Sequence, residues 1–293
     1  MKKTDVIFIE DDPTVHEVLF DAAIQKGIFI HHFTNGEEGF NKLKSTHKIK
    51  GLILDGECYI NKQSKTPEPK FLSEALRQLR EIESQSDRLI PTVVFTGSPD
   101  QFRRFFGEEN ITIFSKGDGP NDMLTHLKKL INKSPDEIIR KKHPDVFAIF
   151  EKEYLSEKDE IKLLSIVKEL NSNDKAQILN NIANVRPFLE SIQTAMNKVD
   201  SNISPNNYSF NKFKKHLAGN LKYTPNERPQ PTTEVYVGDY LSKLIDMTYS
   251  VSSIEGSHHS ESLITKYTYN SLVNALLEIL LWFGAWMDER SDA

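Results

Sequence analysis

The sequence predicts an α/β domain, a doubly wound parallel five-stranded sheet, followed by an all-α helical domain. Two observations carry that expectation. Short apolar runs alternate with amphipathic helical stripes through the first 133 residues, joined by short connections, which favours parallel strands with crossover helices. Past Ser134-Pro135 convincing strands stop and helical periodicity takes over.

The elements follow in order. Val6-Ile7-Phe8-Ile9 is a strand, and Pro13 to Gln25 a helix with proline at its start and Val15, Val18, Leu19 and Ala22 on one face. Ile28-Phe29-Ile30 is a short strand, Glu37 to Leu43 a short helix, and Gly51-Leu52-Ile53-Leu54 the third strand. Phe71 to Ile82 carries a helical stripe of Phe71, Leu72, Ala75, Leu76, Leu79 and Ile82. Thr92-Val93-Val94-Phe95 and Ile111-Thr112-Ile113-Phe114 are strands, followed by helices over Pro99 to Phe106 and Asn121 to Ile131. The polar stretch Asn61 to Lys70, punctuated by Pro67 and Pro69, reads as a loop.

In the second half, Asp145 to Tyr154 and Glu157 to Leu170 are helical. Asp174 to Val199 is a kinked helix or two helices, broken at Arg186-Pro187. Ser201 to Asn207 and Tyr223 to Thr233 are loops, Glu234 to Val237 is a short strand or a helix start, and Tyr240 to Val251 and Tyr267 to Met287 close the chain as helices.

A length of 293 residues suits two domains. They are expected over 1–133 and 134–293, with 134–172 as a helical linker region. A hydrophobic content of 38% and a charged content of 27% fit a folded, water-soluble chain. The single cysteine, Cys58, excludes an internal disulfide and suits a reducing compartment. No secretory signal opens the sequence, so a cytoplasmic location is expected. The apolar run Leu272 to Met287 falls short of the roughly 20 residues a membrane span needs, and no membrane is expected. From residue 134 on there are 18 Lys and Arg against 22 Asp and Glu, so nucleic acid is not the expected partner, although Lys212, Lys214, Lys215 and His216 form a local basic cluster.

The chemistry lies at the strand ends, where open parallel sheets bind ligands. The first strand runs into Glu10-Asp11-Asp12, the third ends in Asp55, the fourth in Thr96, and the fifth leads through Ser115 to Lys116. Mg²⁺ takes hard oxygen ligands and one or two carboxylates. Asp11 and Asp55 suit it, with Glu10 acting through water. A carboxylate can attack phosphorus, while a cation and a lysine neutralise the charge on the transferring group. Thr96 offers a hydrogen bond and Lys116 an ion pair.

These residues, in this order, resemble a response-regulator receiver domain over about Lys3 to Asn132. The resemblance implies a flavodoxin-like fold and a phosphoprotein that uses Mg²⁺. It makes Glu10 and Asp11 the acidic pair, Asp55 the phospho-acceptor, Glu57 the residue whose carbonyl ligates the metal, Thr96 the switch hydroxyl and Lys116 the invariant lysine. It implies a histidine kinase or phosphotransfer protein as partner. This chain departs from the family in carrying Ile113 where an aromatic switch residue is usual and Gly117 where a cis proline is usual. The segment between Asp55 and Thr96 is also longer than usual, with the excess assigned to 61–70.

The helical half shows no helix-turn-helix, no phosphate loop and no Cys/His metal spacing. His216-Leu217-Ala218-Gly219 matches a histidine phosphotransfer signature poorly. The segment Asn184-Val185-Arg186-Pro187-Phe188-Leu189-Glu190, the later Gly256-Ser257-His258-His259 and the closing apolar helix resemble HEPN-type domains, including those of abortive-infection proteins. Active members carry an arginine shortly before the histidine. Here those positions are Ser252, Ser253, Ile254 and Glu255, so His258 and His259 read as cap or interface residues. The expected function is a two-component response regulator with a helical protein-interaction output, homodimeric through its C-terminal helices. A phosphorylation-gated HEPN-like ribonuclease is the alternative, and a DNA-binding regulator the third.

Overall fold

The computed structural model describes residues 4–106, 111–204, 208–222, 224, 227–257 and 264–291. The chain divides into two units, Met1–Ile138 and Ile139–Ala293.

The first unit is built on five parallel strands: β1 (Thr4–Ile9), β2 (Ile28–Phe33), β3 (Gly51–Leu54), β4 (Thr92–Thr96) and β5 (Thr112–Ser115). Their order is β2-β1-β3-β4-β5. Five helices connect or follow them: α1 (Pro13–Gln25), α2 (Gly36–Ser45), α3 (Phe71–Ser86), α4 (Pro99–Phe106) and α5 (Asn121–Lys133). The central strands are apolar on both sides because both faces are covered. Val6, Phe8, Ile53, Val93 and Phe95 pack with Leu19 and Ala23 of α1 and Leu124, Leu127 and Ile131 of α5. Ile7, Ile9, Leu52, Leu54 and Val94 pack with Phe40, Leu72, Leu79 and Phe102 from α2, α3 and α4. Each such side chain contributes about 1.5–3 kcal/mol on burial.

Boundaries shift where local pattern competes with pairing. β2 extends to Phe33 although His31 and His32 interrupt its apolar run, because Ile9 pairs with Phe33 in register. Residues 61–70 form a pinned loop rather than a loose one. Glu68 N–H donates to Cys58 O at 3.0 Å, Asn61 Oδ1 accepts the Ser64 N–H at 3.0 Å, and Lys62 pairs with Glu38 at 2.7 Å. Just before it, Tyr59 O and Ile60 O accept the Gly36 and Glu37 N–H groups at 2.9 Å, which satisfies donors that the first turn of α2 leaves free.

The second unit is helical: α6 (Pro135–Lys142, which begins within the first unit), α7 (Pro144–Glu151), α8 (Glu157–Lys168), α9 (Lys175–Val199), α10 (Phe210–Leu217), α11 (Asp239–Ser257) and α12 (Lys266–Ser291). Residues 134–172, read from the sequence as a linker region, include α7 and α8, whose Phe147, Ile149, Leu163 and Ile166 share one core with α9 and α12. Pro187 lies inside α9, which is one helix. Residues 234–237 are neither strand nor helix, and α10 is a helix beyond those the sequence pattern predicts.

α12 is longer than its apolar run suggested. Among the described residues it is the helix long and apolar enough to cross a membrane by length and composition, with 56% of that window buried inside the fold. Leu272, Val273, Leu276, Leu280, Phe283, Trp286 and Met287 are all buried, and Tyr267 and Leu281 are its exposed large apolar residues.

Candidate functional site

The strand order reverses between β1 and β3, since the chain leaves β1 for β2 on one side and returns to β3 on the other. The crevice beyond the carboxyl ends of two such strands is where open α/β sheets bind ligands. Main-chain pairing continues into it: Glu10 N–H donates to Phe33 O at 2.9 Å and Asp55 N–H to Ile9 O at 3.0 Å. The sheet itself thus holds Glu10 and Asp55.

Carboxylate oxygens of Glu10, Asp11 and Asp55 all lie within 4.8 Å of one another. Glu10 is 1% and Asp55 6% exposed, while Asp11 is half-buried. Lys116, on a 3-10 turn (Lys116–Asp118) after β5, reaches between them. Its Nζ is 2.6 Å from Glu10 Oε2 and 3.0 Å from Asp55 Oδ2. The first pair is at ion-pair distance without an aligned hydrogen bond, whereas Lys116 does donate to Asp55. Asp55 Oδ1 accepts the Gly56 N–H at 2.6 Å, and Glu10 Oε1 accepts the Asp12 N–H at 3.1 Å.

The electrostatics follow from crowding acids in a dry place. Burial, then the charge of Asp55, pushes the Glu10 carboxyl up to about 7 against the pull of Lys116. Burial likewise raises Asp55, opposed by Lys116 and the Gly56 N–H. Burial works against the charged form of Lys116, but its close contact with Glu10 and the Asp55 charge outweigh it and hold the ammonium above its usual range. With all three acids ionised, one ammonium leaves a deficit of positive charge that a divalent cation would fill. Three clustered oxygen donors are the type Mg²⁺ prefers, so the residues fit such an ion.

Asp12 has a different job. Its Oδ1 accepts from Thr14 N–H at 2.8 Å and Thr14 Oγ1 at 2.7 Å, capping α1, and the Thr14 hydroxyl holds its carboxyl below the usual range. Thr96 is buried, and its Oγ1 accepts the Ser98 N–H at 3.3 Å. A Cβ built on Gly56 would lie 2.7 Å from that Oγ1, so Thr96 adjoins the residue after Asp55. Glu57 is half-buried and its carboxylate is outside the cluster. Ile113 is buried, and no cis peptide occurs among the described residues, the bond into Gly117 included. Cys58 is buried, its Sγ 3.4 Å from Thr34 O, and burial raises its thiol well out of the reactive range.

In the helical unit, Arg186 donates to Glu190 at 3.1 Å and lies 5.6 Å over the Tyr249 ring. His216 is 1% exposed, its Nε2 3.1 Å from Asn202 O, with Tyr208 and Tyr236 against it. It is closed to a phosphotransfer partner. Lys214 pairs with Asp246, which offsets part of the basic cluster. His258 and His259 lie outside the described residues.

In comparisons with known proteins, no family model matches the chain and no curated protein matches it.

Proposed function

We propose that the first unit is a receiver domain that accepts a phosphoryl group on Asp55 from a histidine kinase or phosphotransfer protein of the cytoplasm. The chain is then a response regulator, with the helical unit as its output. The observation that carries this reading is the meeting of Glu10, Asp11, Asp55 and Lys116 at the point where the strand order reverses. The order β2-β1-β3-β4-β5 is also that of flavodoxin-like sheets.

An Asp55 carboxylate oxygen attacks phosphorus. The new O–P bond forms as the donor's bond to phosphorus breaks, and that bond's electron pair leaves with the donor. Lys116 already touches Asp55 Oδ2 and neutralises charge gathering on the phosphoryl oxygens, while the Thr96 hydroxyl donates to one of them. Glu10, Asp11, Asp55 and the Glu57 carbonyl are the groups that would hold Mg²⁺, which supplies further charge neutralisation when bound.

Acetyl phosphate in Mg²⁺ tests the reading. Wild type should take up label, and Asp55→Asn and Asp11→Ala should not. Because burial raises the Asp55 carboxyl, its neutral isostere should not threaten the fold. Wild-type labelling of Asp55→Asn would end the proposal.

A further inference from the structure

Gly56 follows Asp55 directly, and two side chains close over it. A Cβ built there would lie 2.3 Å from Cε2 and 2.7 Å from Cζ of Phe102, and 2.7 Å from Thr96 Oγ1. The Phe102 ring and the Thr96 hydroxyl therefore each crowd the α-carbon beside Asp55. Phe102 is the buried residue of α4, at 3% exposure. Elsewhere on α4, Arg103 donates to Ile113 O at 3.2 Å and Phe106 stacks on Phe102. Thr96 also reaches the start of α4, because its Oγ1 accepts the Ser98 N–H at 3.3 Å.

We propose that Phe102 is a positioning residue through which the state of Asp55 is passed to α4. The proposal rests on the receiver reading of the site. When Thr96 turns toward a phosphoryl oxygen, Oγ1 leaves both the Ser98 N–H and its place beside Gly56. Main chain at Gly56 and ring at Phe102 have no slack between them, so a shift at one moves the other. α4 loses its anchor, and Phe105, 78% exposed on the same helix, moves at the surface. Ile113, buried in the same cluster as Phe102, cannot supply a rotating ring, so the aromatic contact comes from the helix instead of the strand.

Amide exchange on the intact chain tests this, with beryllofluoride and Mg²⁺ as phosphoryl mimic. In wild type, exchange over Pro99–Phe106 should rise at least about threefold when the mimic binds. In Phe102→Leu it should be fast without the mimic and unresponsive to it, while labelling by acetyl phosphate stays within about twofold of wild type. A Phe102→Leu response equal to wild type would overturn the proposal. So would an unchanged α4 in a wild type that does label, and that arm holds whether or not the variant folds. A wild type that neither labels nor binds beryllofluoride removes the receiver reading, and this inference with it.

Discussion

At the scale of single residues, Glu10 sits where burial and the Asp55 charge work against its ionised form. Burial pushes its carboxyl up to about 7 from the ordinary 4.5, so the folded protein holds a proton that the unfolded chain gives up. Stability from this group is full below the unfolded value and is lost as pH rises through the folded one. Without divalent cations, Glu10→Gln should gain on wild type by about 1–3 kcal/mol between pH 4 and pH 8. Denaturant unfolding at several pH values checks this, and a difference that shrinks with rising pH contradicts it. Gly56→Ala should cost about 1–3 kcal/mol by overpacking Phe102 and Thr96, read from the same unfolding curves. The acids and Lys116 were legible because each ends an apolar run. The contact between Gly56 and Phe102 was not, since the two are far apart in sequence and share no local pattern.

At the scale of elements, α1 shows why adjacent acids divide their work. Asp12 caps the helix through Thr14, which leaves Asp11 for the cluster. Asp12→Ala should cost about 1 kcal/mol of stability and leave labelling of Asp55 intact. Loss of labelling would mean that Asp12 belongs to the site. Apolar strand runs and Pro13 made the sheet and α1 readable in advance. The pinned segment 61–70 was not readable, because main-chain pairing between Cys58 and Glu68 requires no particular side chains. α10 is hard to read from sequence because Lys212, Lys214 and Lys215 mask the buried stripe of Phe210, Phe213, His216 and Leu217.

At the scale of the molecule, each unit has its own core. Trp286 belongs to the helical one, 7% exposed with Arg290 stacked 4.4 Å over its ring. Trp286→Lys should cost the helical unit at least about 3 kcal/mol while Asp55 still labels. Thermal unfolding followed with labelling checks both halves of that statement, and a variant as stable as wild type would place Trp286 outside the core. The extent of α12's burial was hidden in the sequence, since a helix apolar on all sides reads alike whether its cover is its own core or a second copy. The account's central claim is that Asp55 forms an acyl phosphate, and borohydride trapping reads that bond directly. After incubation with acetyl phosphate and Mg²⁺, reduction followed by peptide mass spectrometry should find homoserine at position 55 and at no other acid of the cluster. An unreduced Asp55, or homoserine at position 11 instead, would contradict it.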